Sequence, residues 1–120
     1  MTTSSIFEYL YRDASNYKSW GALLLEGTAT DAEVTDFLGQ FEAGSYFIAE
    51  QLGIPPLYSA LWAISGGPSD DDHVWHTFHA LRAATAQDME TPVFGTLAEL
   101  IQKINAVEAW DEALSPHWGI

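Results

Sequence analysis

Two segments of the chain, Thr30-Asp31-Ala32-Glu33 and Thr96-Leu97-Ala98-Glu99, set a hydroxyl and a carboxylate three residues apart at the head of an apolar run. Such a pair forms a capping box. The Thr oxygen accepts from the amide three residues on, the Glu reaches back to the Thr amide, and two of the unpaired donors of a helix start are satisfied. Behind the first box Val34, Phe37, Leu38 and Phe41 recur at i, i+3, i+4 and i+7, with Asp31, Asp36 and Gln40 largely off that face. This predicts an amphipathic helix closing at Gly44. Behind the second, Leu97, Leu100, Ile101, Ile104 and Val107 keep the same spacing and predict a helix to about Ala113, with Trp110 near its end. Pro116 to Ile120 reads as a tail.

Elsewhere the period is two. Phe7, Tyr9 and Tyr11 alternate with Ile6, Glu8, Leu10 and Arg12, which predicts an aromatic strand. Asp13-Ala14-Ser15-Asn16 supplies turn chemistry, and a second strand from Tyr17 to Leu25 is expected to pair with the first in antiparallel fashion. Tyr46 to Leu52 reads as a short strand, although Ala49 to Leu52 also suits a helical turn before Gly53. Pro55-Pro56 bars regular helix and opens a connection from Leu57 to Asp72 marked by Gly66-Gly67-Pro68. Leu57, Tyr58, Leu61, Trp62 and Ile64 are too apolar for solvent, so part of that connection is expected to lie against the domain or against a partner. His73 to Leu81 is a further strand, with Trp75, Thr77 and His79 on one face and His76, Phe78 and Ala80 on the other. The expected fold is α+β: one domain spanning residues 1–120, with a four-stranded, mainly antiparallel sheet and two amphipathic helices on one face, in the order ββα-ββα.

Composition narrows the function classes. At 120 residues and 48% hydrophobic content the chain can bury a core of its own. With no cysteine it has neither a disulfide framework nor a thiolate for zinc or catalysis. No apolar run approaches the roughly 18 to 20 residues of a membrane span, and the opening Met1-Thr2-Thr3-Ser4-Ser5 has no basic residue, so a cytoplasmic location is expected. Seventeen acidic residues face four basic ones, Arg12, Lys18, Arg82 and Lys103, for a formal charge of −13. Direct nucleic-acid binding is disfavoured, because phosphate recognition needs a Lys/Arg footprint. If the charge is functional the partner is basic; the plain alternative is that it keeps the protein soluble.

His73, His76 and His79 follow Asp70-Asp71-Asp72 at three-residue intervals and suggest a metal site, but the geometry opposes one. On a strand, His73 and His79 share a face about 20 Å apart while His76 points the other way. On a helix, successive i+3 steps drift round the axis. Two of the histidines with an Asp could still hold zinc or iron with one position open, but the expected reading is histidines decorating a strand beside aromatics, with no metal and no cofactor. No nucleophile elbow, P-loop or dinucleotide fingerprint occurs, and any pair among so many carboxylates is unspecific, so no catalytic residue is assigned. Arg12 and Lys18 flank the first turn with Asp13, and local ion pairs or an anion contact both suit them. Trp75, Trp110 and Trp118, with Tyr58 and Trp62, supply either core or an aromatic surface.

Taken together, Tyr11-Arg12-Asp13, Asn16-Tyr17-Lys18, Phe47-Ile48-Ala49-Glu50-Gln51-Leu52-Gly53-Ile54-Pro55 and Asp72-His73-x-Trp75-His76-x-Phe78 resemble a group of small uncharacterised bacterial and phage proteins. The resemblance covers about residues 7 to 80. It implies a bacterial or phage origin and carries no function over.

Three functions are consistent with these features. The leading one is a non-enzymatic interaction protein, immunity-like or inhibitor-like, presenting Asp31, Glu33 and Asp36 on the first helix and Asp70, Asp71 and Asp72 in the long connection to a basic protein. The second is a small enzyme or ligand-binding domain with a pocket among Arg12, Asp13, Lys18, Glu50 and His76. The third is a mimic of DNA phosphates that inhibits a nucleic-acid-binding protein.

Overall fold

The computed structural model describes residues 4–12, 18–57 and 75–111. The Phe7/Tyr9/Tyr11 alternation becomes β1 (Ser4–Arg12), which lies at the centre of the sheet. β2 (Lys18–Glu26) runs antiparallel to it, from Ser4 opposite Glu26 to Arg12 opposite Lys18. After α1 (Asp31–Leu38) come β3 (Tyr46–Ile48), the single turn α2 (Ala49–Leu52), β4 (Trp75–Ala83), a 3-10 turn at Asp88–Glu90, β5 (Gly95–Thr96) and α3 (Leu97–Asn105). The sheet order is β3-β4-β1-β2-β5, antiparallel except where β5 joins β2 in parallel.

A sheet with helices is therefore present, but it has five strands where four were expected, and the ββα-ββα order does not hold. The helical turn α2 follows β3 directly, ending at Gly53 in the left-handed region with φ 71°, so Tyr46 to Leu52 is strand and then helix. The fifth strand has only two residues, and no two-residue element shows a period. Both main helices stop short of their expected ends. α1 ends at Gly39 rather than Gly44, and the chain then turns tightly enough to bond Glu42 N–H to Tyr46 C=O at 2.8 Å.

α3 ends at Asn105, short of the expected end near Ala113, and a distant side chain binds the backbone beyond it. Gln51 donates through Nε2 to Ala109 C=O at 2.9 Å and accepts at Oε1 from Asp111 N–H at 2.9 Å. The second of these takes the Asp111 amide that an i to i−4 ladder would give to Val107 C=O.

Capping follows the sequence reading closely at α1. Thr30 accepts from Glu33 N–H at 3.2 Å, and Glu33 Oε1 accepts from Thr30 N–H at 3.0 Å. At α3, Thr96 accepts from Glu99 N–H at 3.2 Å while also ending β5 opposite Glu26.

One core forms on the Phe7/Tyr9 face. Leu23 and Leu25 of β2, Phe47 of β3, Phe37 of α1, Leu52 of α2 and Leu97, Leu100 and Ile104 of α3 close over it. Full burial of each such side chain is worth roughly 1.5–3 kcal/mol. A register shift opposite Glu8 and Tyr9 resets β4, so that Phe78 pairs with Tyr9 but Leu81 pairs with Phe7. Leu81 thus joins the core face in place of Ala80, contrary to uninterrupted alternation. Ile6, Leu10 and Leu24 on the opposite face are also buried.

Candidate functional site

The residues singled out from sequence fall in several places. Asp31, Glu33 and Asp36 are all exposed on α1, whose last turn has no basic residue. Glu33 has a structural task as well, since its carboxylate closes the capping box. Asp70, Asp71 and Asp72 lie outside the described residues, as do Asp13, His73, Trp118 and the connection from Tyr58 onward. Arg12 and Lys18 face each other at the exposed end of the β1/β2 hairpin. Glu50 is half-buried on α2.

His76 is wholly buried, 0% exposed. Its ring stacks on Phe47 with centroids 6.0 Å apart and touches Tyr11 at 5.6 Å and Tyr9 at 6.1 Å. Nε2 accepts a 2.9 Å hydrogen bond from Leu57 N–H, which requires a lone pair there and so places the neutral ring's proton on Nδ1. Nearby, Tyr9 O–H donates to Pro55 C=O at 2.7 Å, and burial raises the phenol's pKa to about 12. Two core side chains thus satisfy backbone groups within and just after Pro55-Pro56, a stretch whose prolines bring no N–H of their own. His79, by contrast, lies on the other face against the exposed Trp20, edge to face at 5.0 Å. Among the described residues no three His, Asp or Glu side chains form a metal-binding group, and no helix is long and apolar enough to cross a membrane.

A second polar construction was not singled out from the sequence. Arg82 donates through Nη1 and Nη2 to the two oxygens of Asp88 at 2.6 and 3.3 Å and pairs through Nε with Glu8 at 3.3 Å. Thr85 and Asp88 form a reciprocal box, with Thr85 N–H to Asp88 at 2.7 Å and Asp88 N–H to Thr85 Oγ1 at 3.2 Å. The Arg82 hydrogen bond, followed by the Thr85 amide, holds the Asp88 carboxyl well below the usual carboxylate range, and Asp88 raises the Arg82 guanidinium in turn. This unit staples β4 to the 3-10 turn. Its Thr-x-x-Asp spacing was legible in Thr85-Ala86-Gln87-Asp88, as at the other boxes.

The concave ground lies at the ends of α1 and α3. A hollow of about 590 Å³ is lined by Gly39, Gln40, Phe41, Glu42, Trp75, Val107, Glu108, Ala109 and Trp110. Trp110 donates through Nε1 to Gln40 C=O at 2.9 Å, and its ring meets Phe41 at 6.2 Å and Trp75 at 6.4 Å. A neighbouring hollow of about 540 Å³ shares Val107, Glu108 and Ala109 and adds Gln51 and Lys103. A smaller one of about 130 Å³ lies between Phe94, Thr96 and Lys103. None of these three is lined by Arg12, Lys18, Glu50 or His76. Trp75 and Trp110 thus line one recess, while Tyr58, Trp62 and Trp118 lie outside the described residues.

No protein-family model matches this chain, and no curated protein and no solved structure matches it.

Proposed function

We propose that the chain is a non-enzymatic acidic interaction domain of bacterial or phage origin, acting in the cytoplasm as an immunity protein or inhibitor does, and that it binds a basic protein. The observation that best supports this reading is a run of exposed carboxylates on one structural unit. Asp31 and Asp36 stand on α1, Glu42 follows it, and Glu108 lines the same hollow as Glu42. α1 itself contains no basic residue to offset them.

At a separation of about 10 Å in water each charge pair is worth only about 0.4 kcal/mol. Several acting together nonetheless steer encounters and reject acidic competitors, and this raises the association rate more than the final affinity. Such an interaction weakens as salt shortens the Debye length to about 8 Å at physiological ionic strength.

The test is charge reversal at Asp31→Lys together with Asp36→Lys, leaving Glu33 in place because it caps the helix. A basic protein retained by the wild-type domain at low salt should bind the double variant about 5- to 30-fold more weakly, from about 0.5–1 kcal/mol per reversed site. Equal affinity for both forms, with the helix intact by circular dichroism, rejects the reading.

A further inference from the structure

We propose that the hollow between the C-terminal ends of α1 and α3 receives a guanidinium, an arginine side chain of the basic partner. This deepens the reading above and rests on it. Three features of the hollow favour a flat organic cation.

The walls are aromatic. Trp75 and Trp110 meet at 65° with centroids 6.4 Å apart, and Phe41 adjoins Trp110 at 6.2 Å, so ring surfaces converge on one corner. The face of an indole is the negative pole of its quadrupole and attracts cations set against it.

The field is negative. Glu42 and Glu108 line the hollow and are exposed, and among the described residues no basic side chain lines it. Both helices also deliver their C-terminal ends there. Gly39, the cap of α1, is part of the wall, and Val107 to Trp110 follow Ala106, the cap of α3. The aligned peptide dipoles leave a partial negative charge at each such end.

The corner is held before anything binds. Trp110 is fixed to Gln40 C=O, and the Gln51 amide brackets the backbone at Ala109 and Asp111. A preorganised site loses less entropy on binding. At about 590 Å³ the hollow lies within the roughly 300–1,000 Å³ usual for ligand pockets, so it admits a long side chain with its flanking atoms.

Arginine fits better than lysine. Its guanidinium is planar, stacks on an indole, forks onto a carboxylate and is less strongly hydrated than an ammonium. An apolar occupant would instead strip water from Glu42 and Glu108 with nothing in return.

The experiment follows the tryptophan indole N–H signals by NMR in the ¹⁵N-labelled chain during titration with acetyl-Gly-Arg-Gly-amide and with its uncharged citrulline counterpart. The arginine peptide should shift Trp75 and Trp110 with a dissociation constant on the order of millimolar, while Trp20, 57% exposed and no part of the hollow's wall, stays in place. The citrulline peptide should leave all three unmoved. Glu42→Gln combined with Glu108→Gln changes two exposed side chains, so the fold should survive, and arginine binding should weaken on the order of tenfold. No shift with arginine, equal shifts with citrulline, or unchanged binding in the glutamine variant each overturns the proposal. If the peptide fails while the α1 charge reversal still weakens the partner, the hollow assignment falls alone. If the peptide binds and the reversal changes nothing, the acidic-helix reading fails instead.

Discussion

Replacing His76 by Phe separates the two roles of the buried imidazole. The new ring keeps its stack on Phe47 and its contacts with Tyr9 and Tyr11, but Leu57 N–H loses the acceptor it has at 2.9 Å. A buried donor left without a partner costs about 1–3 kcal/mol. Fitting a six-membered ring into a site that is 0% exposed adds about 1 kcal/mol of overpacking. The expected loss is therefore about 2–4 kcal/mol, a large share of the roughly 5–15 kcal/mol that holds a domain together. Urea unfolding should show it as a midpoint lowered by about 1–2 M at unchanged slope, taking a slope near 2 kcal/mol/M. His76→Gln retains an acceptor on a flexible stem and should recover part of the loss. A midpoint within about 0.3 M of wild type for His76→Phe would mean that the imidazole acts as a ring alone and that the Leu57 bond contributes nothing.

Three further outcomes follow from the same geometry. Thr30→Ala removes the hydroxyl that accepts from Glu33 N–H and should cost about 1 kcal/mol in the same unfolding assay; no change would mean that the α1 box is idle. Asp88→Asn tests the staple through pH. A carboxyl lowered in the folded state adds stability above its unfolded value of 3.8 and loses it as pH falls below that, so the variant should be less stable at neutral pH and show a shallower acid limb below about pH 4. An acid limb as steep as that of wild type would contradict the assignment. Gln51→Ala removes both bonds to the segment after α3, and amide exchange at Asp111 should accelerate while exchange in β1 stays slow; equal protection at Asp111 would show that the clamp does not hold the Trp110 corner.

The local features were the legible ones. Thr30 and Glu33 announce a helix start because both partners lie within one turn, and Phe7, Tyr9 and Tyr11 announce a strand because a period of two needs only a few residues. Thr85 and Asp88 sent the same kind of signal. What escaped depends on distant partners. Beyond the end of α3 at Asn105 the backbone at Ala109 and Asp111 is bound by Gln51, far back in the chain. β5 exists because Gly95 and Thr96 lie beside Leu25 and Glu26, with no pattern of their own. His76 looked like a candidate for a pocket wall, since a histidine among aromatics reads alike in core and cleft. The alternation placing it opposite His79 was readable, but which of those faces became the core was not. The hollow joins Gln40 to Trp110 across 70 positions, a distance at which spacing says nothing.

If the acidic surface serves a basic partner, the rate of association against salt tests that role most directly. For a partner captured at low salt, the wild-type rate constant should fall steeply as ionic strength rises, whereas Asp31→Lys with Asp36→Lys should start lower and fall less. Rates for the two forms that coincide at every salt concentration would show that the carboxylates of α1 take no part in recognition.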